Sequence, residues 1–298
     1  HVVFSAPSAS SGVELWLSDG TAGGTVMVDI HPSGSSLPGD KLAAGGIAYC
    51  GAADDTGGTE LWRTDGTPGG TARVADINPV GSSNPKPLAV LGNRLYFSAT
   101  TAAAGNELYV YSGTGTPTLF DLAPGVTGSN PTSCAPALSD VFCAVAADGL
   151  AAEVYRVTPT TAVPLADLLP GPVSSDPTVL AVSFNVAVVA ASTQLGAPTL
   201  FLVAANGAVT PLGLQAPAVP QVGSVGNLPV ISANDGRGQE PYLVLTTGAA
   251  RAQLIRDING VTQSSSPHVL FGDGQRLLFF ARPAGQFELF EQSSAPAA

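Results

Sequence analysis

The apolar residues of this chain come in short runs broken by Gly, Pro, Asn or Asp, as in "PLAVLGN" (Pro87–Asn93) and "RLYFSA" (Arg94–Ala99). No long segment repeats its apolar positions every 3.6 residues. The pattern therefore predicts strands joined by tight turns, and no helix. Gly (35) and Pro (25) make up about a fifth of the 298 residues, and the apolar runs between them argue for folded strands rather than disorder.

The runs recur with a period. Aligned on one acidic position, the repeats start at Glu14 (ELWL), Glu60 (ELWR), Glu107 (ELYV), Glu153 (EVYR), Thr199 (TLFL), Glu240 (EPYL) and Glu288 (ELFE), spaced 46, 47, 46, 46, 41 and 48 residues apart. Each repeat holds four segments. The first two meet at a Gly-Asn or Asp-Gly pair (Gly92-Asn93, Gly226-Asn227, Asp273-Gly274), the chemistry of a tight hairpin. The third carries Glu-Leu-aromatic, and the fourth ends in Asp-Ile or Asp-Leu. A Pro- and Ser-rich return follows, such as "NPVGSSNP" (Asn78–Pro85), where Pro forbids strand continuation.

Four antiparallel strands per repeat of about 46 residues predict an all-β chain, a single β-propeller domain over residues 1–298. The second and third segments occur seven times, the first and fourth six times. This predicts seven blades, with the chain entering at a second strand and leaving after a third. A six-bladed ring is the alternative, and it leaves two segments without a place.

The stretches "ELWLSDGTAGGTVMVDIHPSGSS" and "ELWRTDGTPGGTARVADINPVGSS" resemble the ELWxxDGT repeat of large secreted bacterial proteins. The resemblance is carried by motif and spacing in the first two copies, and by periodicity in the later ones. It implies a propeller-like exported protein, and it implies no catalytic residues.

Composition narrows the function. The net charge is −11 and basic residues number 11, without clusters. A phosphate-binding footprint is missing, so nucleic acid is not an expected partner. No apolar run is long enough for a membrane-spanning helix, and membrane insertion is not expected. A chain opening on His1 is expected to be a processed or trimmed product, and weak charge, few Lys and many Ser, Thr, Gly and Ala suit a secreted, periplasmic or cell-surface protein, expected to be monomeric.

The repeated Glu14, Glu60, Glu107, Glu153, Glu240 and Glu288 read as one structural hydrogen-bonding group per blade; a ring of cation- or substrate-holding carboxylates is the alternative. Asp29, Asp76, Asp121, Asp167 and Asp257 precede the return loops and read as caps for orphan N–H groups. A calcium site shared with loop carbonyls is the alternative, although no compact Asp-rich loop supplies the six to eight oxygens calcium needs. No other cofactor is expected. The aromatics Trp16, Trp62, Tyr109 and Tyr155, with Phe201, Tyr242 and Phe290, read as packing between blades. Asp19-Gly20-Thr21 and Asp65-Gly66-Thr67 read as hairpin turns. Cys134 and Cys143 lie in successive strands and are expected to form a disulfide, leaving Cys50 as a buried thiol. His1, His31 and His268 sit in no catalytic motif, and no Gly-x-Ser-x-Gly occurs.

The variable loops between second and third segments draw the binding prediction, with Asp54, Asp55, Asp235 and Arg237 as its charged members. The leading expectation is a non-enzymatic exported binding module whose loop face takes a protein or glycan. The alternatives are a hydrolase or lyase on an extracellular polysaccharide, and a structural repeat module of a larger surface protein.

Overall fold

A computed structural model describes residues 1–147, 151–169, 173–192, 197–246, 251–259, 264–272, 276–283 and 286–293. Asp273-Gly274 and parts of three variable loops (147–152, 193–198 and 282–286) lie outside the described residues. The described residues form 26 strands and no helix.

The chain divides into two compact units. The first comprises His1–Cys134, Val145–Leu150 and Thr158–Ala162; the second comprises Ala135–Ala144, Ala151–Val157 and Val163–Ala298. The first holds three antiparallel sheets. These are β1 (Val2–Ser8), β2 (Gly12–Ser18) and β3 (Thr25–Val28); β4 (Leu42–Ala44), β5 (Ile47–Asp54), β6 (Gly58–Thr64) and β7 (Ala72–Ala75); and β8 (Lys86–Leu91), β9 (Arg94–Thr101), β10 (Gly105–Tyr111) and β11 (Thr118–Phe120).

The fourth sheet, through which the division passes, is β12 (Ser133–Pro136), β13 (Val141–Ala146), β14 (Ala152–Val157) and β15 (Ala162–Ala166). The second unit continues with β16 (Thr178–Ser183), β17 (Val186–Ala191), β18 (Thr199–Ala204) and β19 (Val209–Gln215). Then come β20 (Val222–Val225), β21 (Leu228–Asn234), β22 (Gln239–Leu245) and β23 (Arg251–Leu254), and last β24 (His268–Gly272), β25 (Arg276–Ala281) and β26 (Glu288–Ser293). Among the described residues the first and last sheets have three strands each, matching the second to fourth and the first to third segments of the repeat.

Every pairing follows chain order except one. The eight strands β16–β23 form a single sheet, because Gln215 of β19 pairs with Asn234 of β21. This junction falls in the repeat where Thr199 replaces the Glu.

Cores sit between successive sheets. Leu15, Leu17 and Ile30 of the first repeat pack with Cys50 and Ala52 of the second. Tyr49 and Leu61 pack with Leu95, Phe97, Tyr109 and Tyr111, and Tyr49 meets Tyr111 edge-on at 6.0 Å. The third-strand aromatics first stack inside their own sheet. Trp16 lies on Phe4 (6.3 Å), Tyr109 on Phe97 (5.5 Å) and Phe290 on Phe279 (5.6 Å), each pair directly opposed across two strands. Such offset pairs add to the area they bury.

Candidate functional site

Four of the repeated glutamates are buried, Glu153 is half-buried and Glu288 is exposed. Glu14, Glu60 and Glu107 are wholly inaccessible, and Glu240 nearly so. A buried carboxylate needs donors, and each finds the same ones. Glu60 accepts the backbone N–H groups of Ile77 and Ser83, both at 2.9 Å, and the Ser83 hydroxyl at 2.7 Å. Glu14 takes Ile30 N–H (3.0 Å), Ser36 N–H (2.8 Å) and the Ser36 hydroxyl (2.5 Å). Glu107 takes Leu122, Ala123 and Ser129 N–H groups and the Ser129 hydroxyl. Glu240 takes Ile258 N–H (3.1 Å), Ser265 N–H (3.0 Å) and the Ser265 hydroxyl (2.7 Å). Glu153 differs: among the described residues it accepts the Leu168 N–H alone, at 3.1 Å, and burial pushes its carboxyl up to about 7.

The donor serine lies in a Ser-x-Pro triplet, with Ser and Pro buried and the middle residue left-handed: Leu37 (φ 44°), Asn84 (46°), Asn130 (45°), Asp176 (44°) and Ser266 (46°). The conformation is uncommon for non-glycine residues, and Pro already disfavours the helical region before it. The serine carbonyl then reaches the next sheet. Ser36, Ser83, Ser129, Ser175 and Ser265 accept from the N–H of Ala53 (2.8 Å), Thr100 (2.7 Å), Ala146 (2.7 Å), Ser192 (2.8 Å) and Arg282 (2.8 Å). Each serine staples one repeat to the following one. In the first sheet Pro7 holds the receiving position, since it follows Ala6, which faces Glu14 as Ala52 faces Glu60. Proline has no N–H to give.

Sequence reasoning assigned the acceptor role at the returns to Asp and missed this serine. The signal was present, because the serine follows its glutamate by 22, 23, 22 and 25 residues in the four complete clamps. The aspartates are correspondingly less engaged. Asp29 accepts the Ser11 hydroxyl (3.2 Å), and Asp167 the Leu169 N–H (3.1 Å). Asp76 and Asp121 are exposed, with no side-chain hydrogen bond among the described residues, so capping is not their role. One carboxylate oxygen of Asp257 is buried with no hydrogen-bond partner among the described residues. Among the described residues no three His, Cys, Asp or Glu side chains converge as metal ligands.

The loop charges pair locally. Asp54 accepts from Thr56 and Gly57 N–H groups, each at 2.8 Å, and faces Arg73 at 3.2 Å. Burial acts to raise its carboxyl, and these hydrogen bonds outweigh it, so the net shift is downward. Asp55 holds His31 Nδ1 at 2.9 Å and the Ser33 hydroxyl. This Ser-His-Asp cluster is not a relay: serine and aspartate both address Nδ1, whereas a nucleophile needs the opposite ring nitrogen. Asp235 and Arg237 form a forked pair that holds the Asp235 carboxyl down at about 2. Burial foremost, then its hydrogen bond with Asp235, pushes the Tyr242 phenol up to about 12. In the hairpin turns, Thr21 and Thr67 donate side-chain and backbone hydrogen bonds to Asp19 and Asp65.

Cys134 and Cys143 are disulfide-bonded and Cys50 is free and buried, so in a chain of three cysteines the bond joins the neighbouring strands β12 and β13. Burial pushes the Cys50 thiol up to about 11.

A cavity of about 360 Å³ lies elsewhere, at the hairpin ends of β12, β16 and β20 in the second unit. Pro136, Leu138, Val182, Phe184, Asn227 and Pro229 are among its walls, and among the described residues no charged one lines it. Its rim is fixed by polar contacts. Leu138 N–H donates to Asn185 Oδ1 at 3.2 Å, and the Ser183 hydroxyl donates to the Asn227 carbonyl. Phe184 stands half exposed with φ 46° and is followed by Asn185 with φ 60°. Gly92 and Gly226 hold the same hairpin place in the third and sixth repeats. A phenylalanine forced into a glycine conformation is a strained residue, and strain of this kind concentrates at functional sites. The cavity lies at the opposite end of its strands from Asp235 and Arg237. It can hold an uncharged group, and among the described residues its Ser183 and Ser224 hydroxyls have no acid or base beside them in the lining.

No protein-family model and no curated protein matches the chain. Solved structures do. The chain is similar to a structure of one of two prolyl endopeptidases studied for inter-domain dynamics in catalysis and specificity (TM-score 0.56, 11% identity, 97% of this chain and 48% of that one). It is similar to a puromycin hydrolase (TM-score 0.52, 16% identity, 94% and 50%). It is also similar to the β-propeller domain of the Trilobed protease from Pyrococcus furiosus (TM-score 0.50, 8% identity, 99% and 97%). The fold is a β-propeller. The chain spans about half the length of the first two solved chains.

These matches also correct the functional expectation. Several of the solved structures to which this chain is similar are peptidases or a domain of a protease, among them the prolyl endopeptidase and the Trilobed protease propeller. The free binding module at the loop face, the polysaccharide hydrolase or lyase and the structural repeat module are set aside on that finding.

Proposed function

We propose that this propeller works beside a peptidase catalytic domain and contributes to the choice of peptide, while peptide-bond cleavage is carried out elsewhere. The observation that carries the reading is the cavity at Phe184. Its described lining is uncharged, mixes apolar side chains with Ser183, Ser224 and Asn227, and encloses a volume within the usual range of ligand pockets, enough for one side chain of a peptide. The similarity to propellers of peptidases supports it, and so does the His31 cluster, whose geometry cannot activate Ser33. The disulfide supports an oxidising, extracytoplasmic setting. Seven blades remain our reading of the ring, supported by the seven recurrences of the second and third strands.

The test is direct. Purified protein is titrated calorimetrically with short uncharged peptides and with oligosaccharides, and assayed with fluorogenic prolyl and aminoacyl peptides. Peptide binding without turnover is expected. Turnover by these residues alone, or binding of oligosaccharides and not peptides, overturns the proposal.

A further inference from the structure

Three of the hairpins that join first to second strands carry asparagine as the second turn residue: Gly92-Asn93, Phe184-Asn185 and Gly226-Asn227. In two of them the carboxamide is used inside the fold. Asn93 Nδ2 donates to the Ser112 carbonyl at 3.1 Å, and Asn185 Oδ1 accepts the Leu138 N–H at 3.2 Å. Asn227 lines the cavity of the second unit, and its main-chain carbonyl is taken by the Ser183 hydroxyl. Its carboxamide is exposed and makes no hydrogen bond among the described residues. A primary amide offers donor hydrogens and an acceptor oxygen, the complement of a peptide bond.

The position before the asparagine differs as well. Gly92 and Gly226 leave it bare, whereas Phe184 puts a half-exposed ring there, against the cavity. Pro136 and Pro229 supply rigid walls beside it. Elsewhere in the chain aromatic rings are covered by other rings, as Trp16 is by Phe4 and Tyr109 by Phe97. A second ring, offset or edge-on, is the group that completes an uncovered one. A charged side chain would enter without a counter-charge, since among the described residues none lines the cavity. Resting on the reading of this cavity as a peptide site, we propose that it selects an aromatic residue. Phe184 packs on the ring of that residue, and Asn227 holds an adjoining peptide bond. The two side chains determine specificity and take no part in cleavage.

The probes are acetyl-Gly-X-Gly-amide peptides with Phe, Leu, Lys or Glu as X, titrated calorimetrically into the intact protein. The Phe peptide should bind about fivefold more tightly than the Leu peptide, and the Lys and Glu peptides more weakly than both. The two side chains leave separate signatures. Phe184→Leu should abolish the preference for Phe over Leu; Leu37, at φ 44°, shows that leucine takes this backbone conformation in the same chain. Asn227→Ala should lower the affinity for both peptides about fivefold and leave their ratio unchanged. Both side chains are exposed, so the variants should fold as the wild type does, which circular dichroism checks. Equal binding of the Phe and Leu peptides, a ratio that survives Phe184→Leu, or unchanged affinities with Asn227→Ala overturns this assignment while the peptide reading stands. Binding of no peptide at all overturns both.

Discussion

Ser83 holds Glu60 at both oxygens, through its backbone N–H at 2.9 Å and its hydroxyl at 2.7 Å, in a site closed to solvent. Losing the hydroxyl leaves a buried charged oxygen short of one donor. Ser83→Ala should therefore cost about 1.5–3 kcal/mol, as for hydrogen bonds to charged groups. Glu60→Ala strands two buried N–H groups and should cost about 3 kcal/mol or more. Asp76→Asn, one residue from the clamp but exposed, should stay within about 0.5 kcal/mol of wild type. Urea unfolding of the three variants checks the order; an Asp76→Asn loss as large as that of Ser83→Ala would sink the assignment.

Glu153 is the incomplete member of the series. Burial raises its carboxyl from 4.5 to about 7, so the folded state binds the proton more tightly than the unfolded state. By linkage, the stability from this group is complete below about pH 4.5 and is lost as pH rises through 7. Glu153→Gln should remove that slope and be the more stable protein at pH 8. Melting curves of both proteins from pH 4.5 to 8 provide the comparison, and parallel curves would count against it.

Cys134 and Cys143 close a short loop between adjacent strands, a constraint worth about 2–3 kcal/mol in the chain-entropy model. The double serine variant should lose stability on that scale and melt at the same temperature with or without reductant. Cys50, with its thiol pushed up to about 11, should react with a thiol reagent only as the protein unfolds. Rapid labelling of the native protein would contradict the burial of Cys50.

Phe184 occupies a backbone conformation that costs a non-glycine residue roughly 1–2 kcal/mol. Phe184→Gly removes this cost and adds some unfolded-state entropy. A net gain of about 0.5–1 kcal/mol is expected, together with loss of peptide binding at the cavity. A variant that gains stability and keeps full affinity would detach the strain from function.

The period of about 46 residues was readable because each repeat solves the same burial problem with the same short strands. The entry at a second strand and exit after a third correspond to the two three-stranded sheets. That Glu14 and its counterparts are structural was readable from their recurrence. Their partners were not: Asp and Ser both lie in the returns, and only folding shows which one faces inward. The fused eight-stranded sheet was hidden for a similar reason. The sequence shows Thr199 in place of Glu but not that Gln215 would then pair with Asn234. The cavity was not legible from the charged loops, because its signal is uncharged, a Phe where other repeats place Gly.

Pro7 has a consequence for how successive repeats are joined. Every other described receiving position that takes a serine carbonyl offers an N–H, and this one offers none. The staple therefore has a fixed direction, from the return of one repeat to the second strand of the next, and a single proline at the receiving place is enough to abolish it.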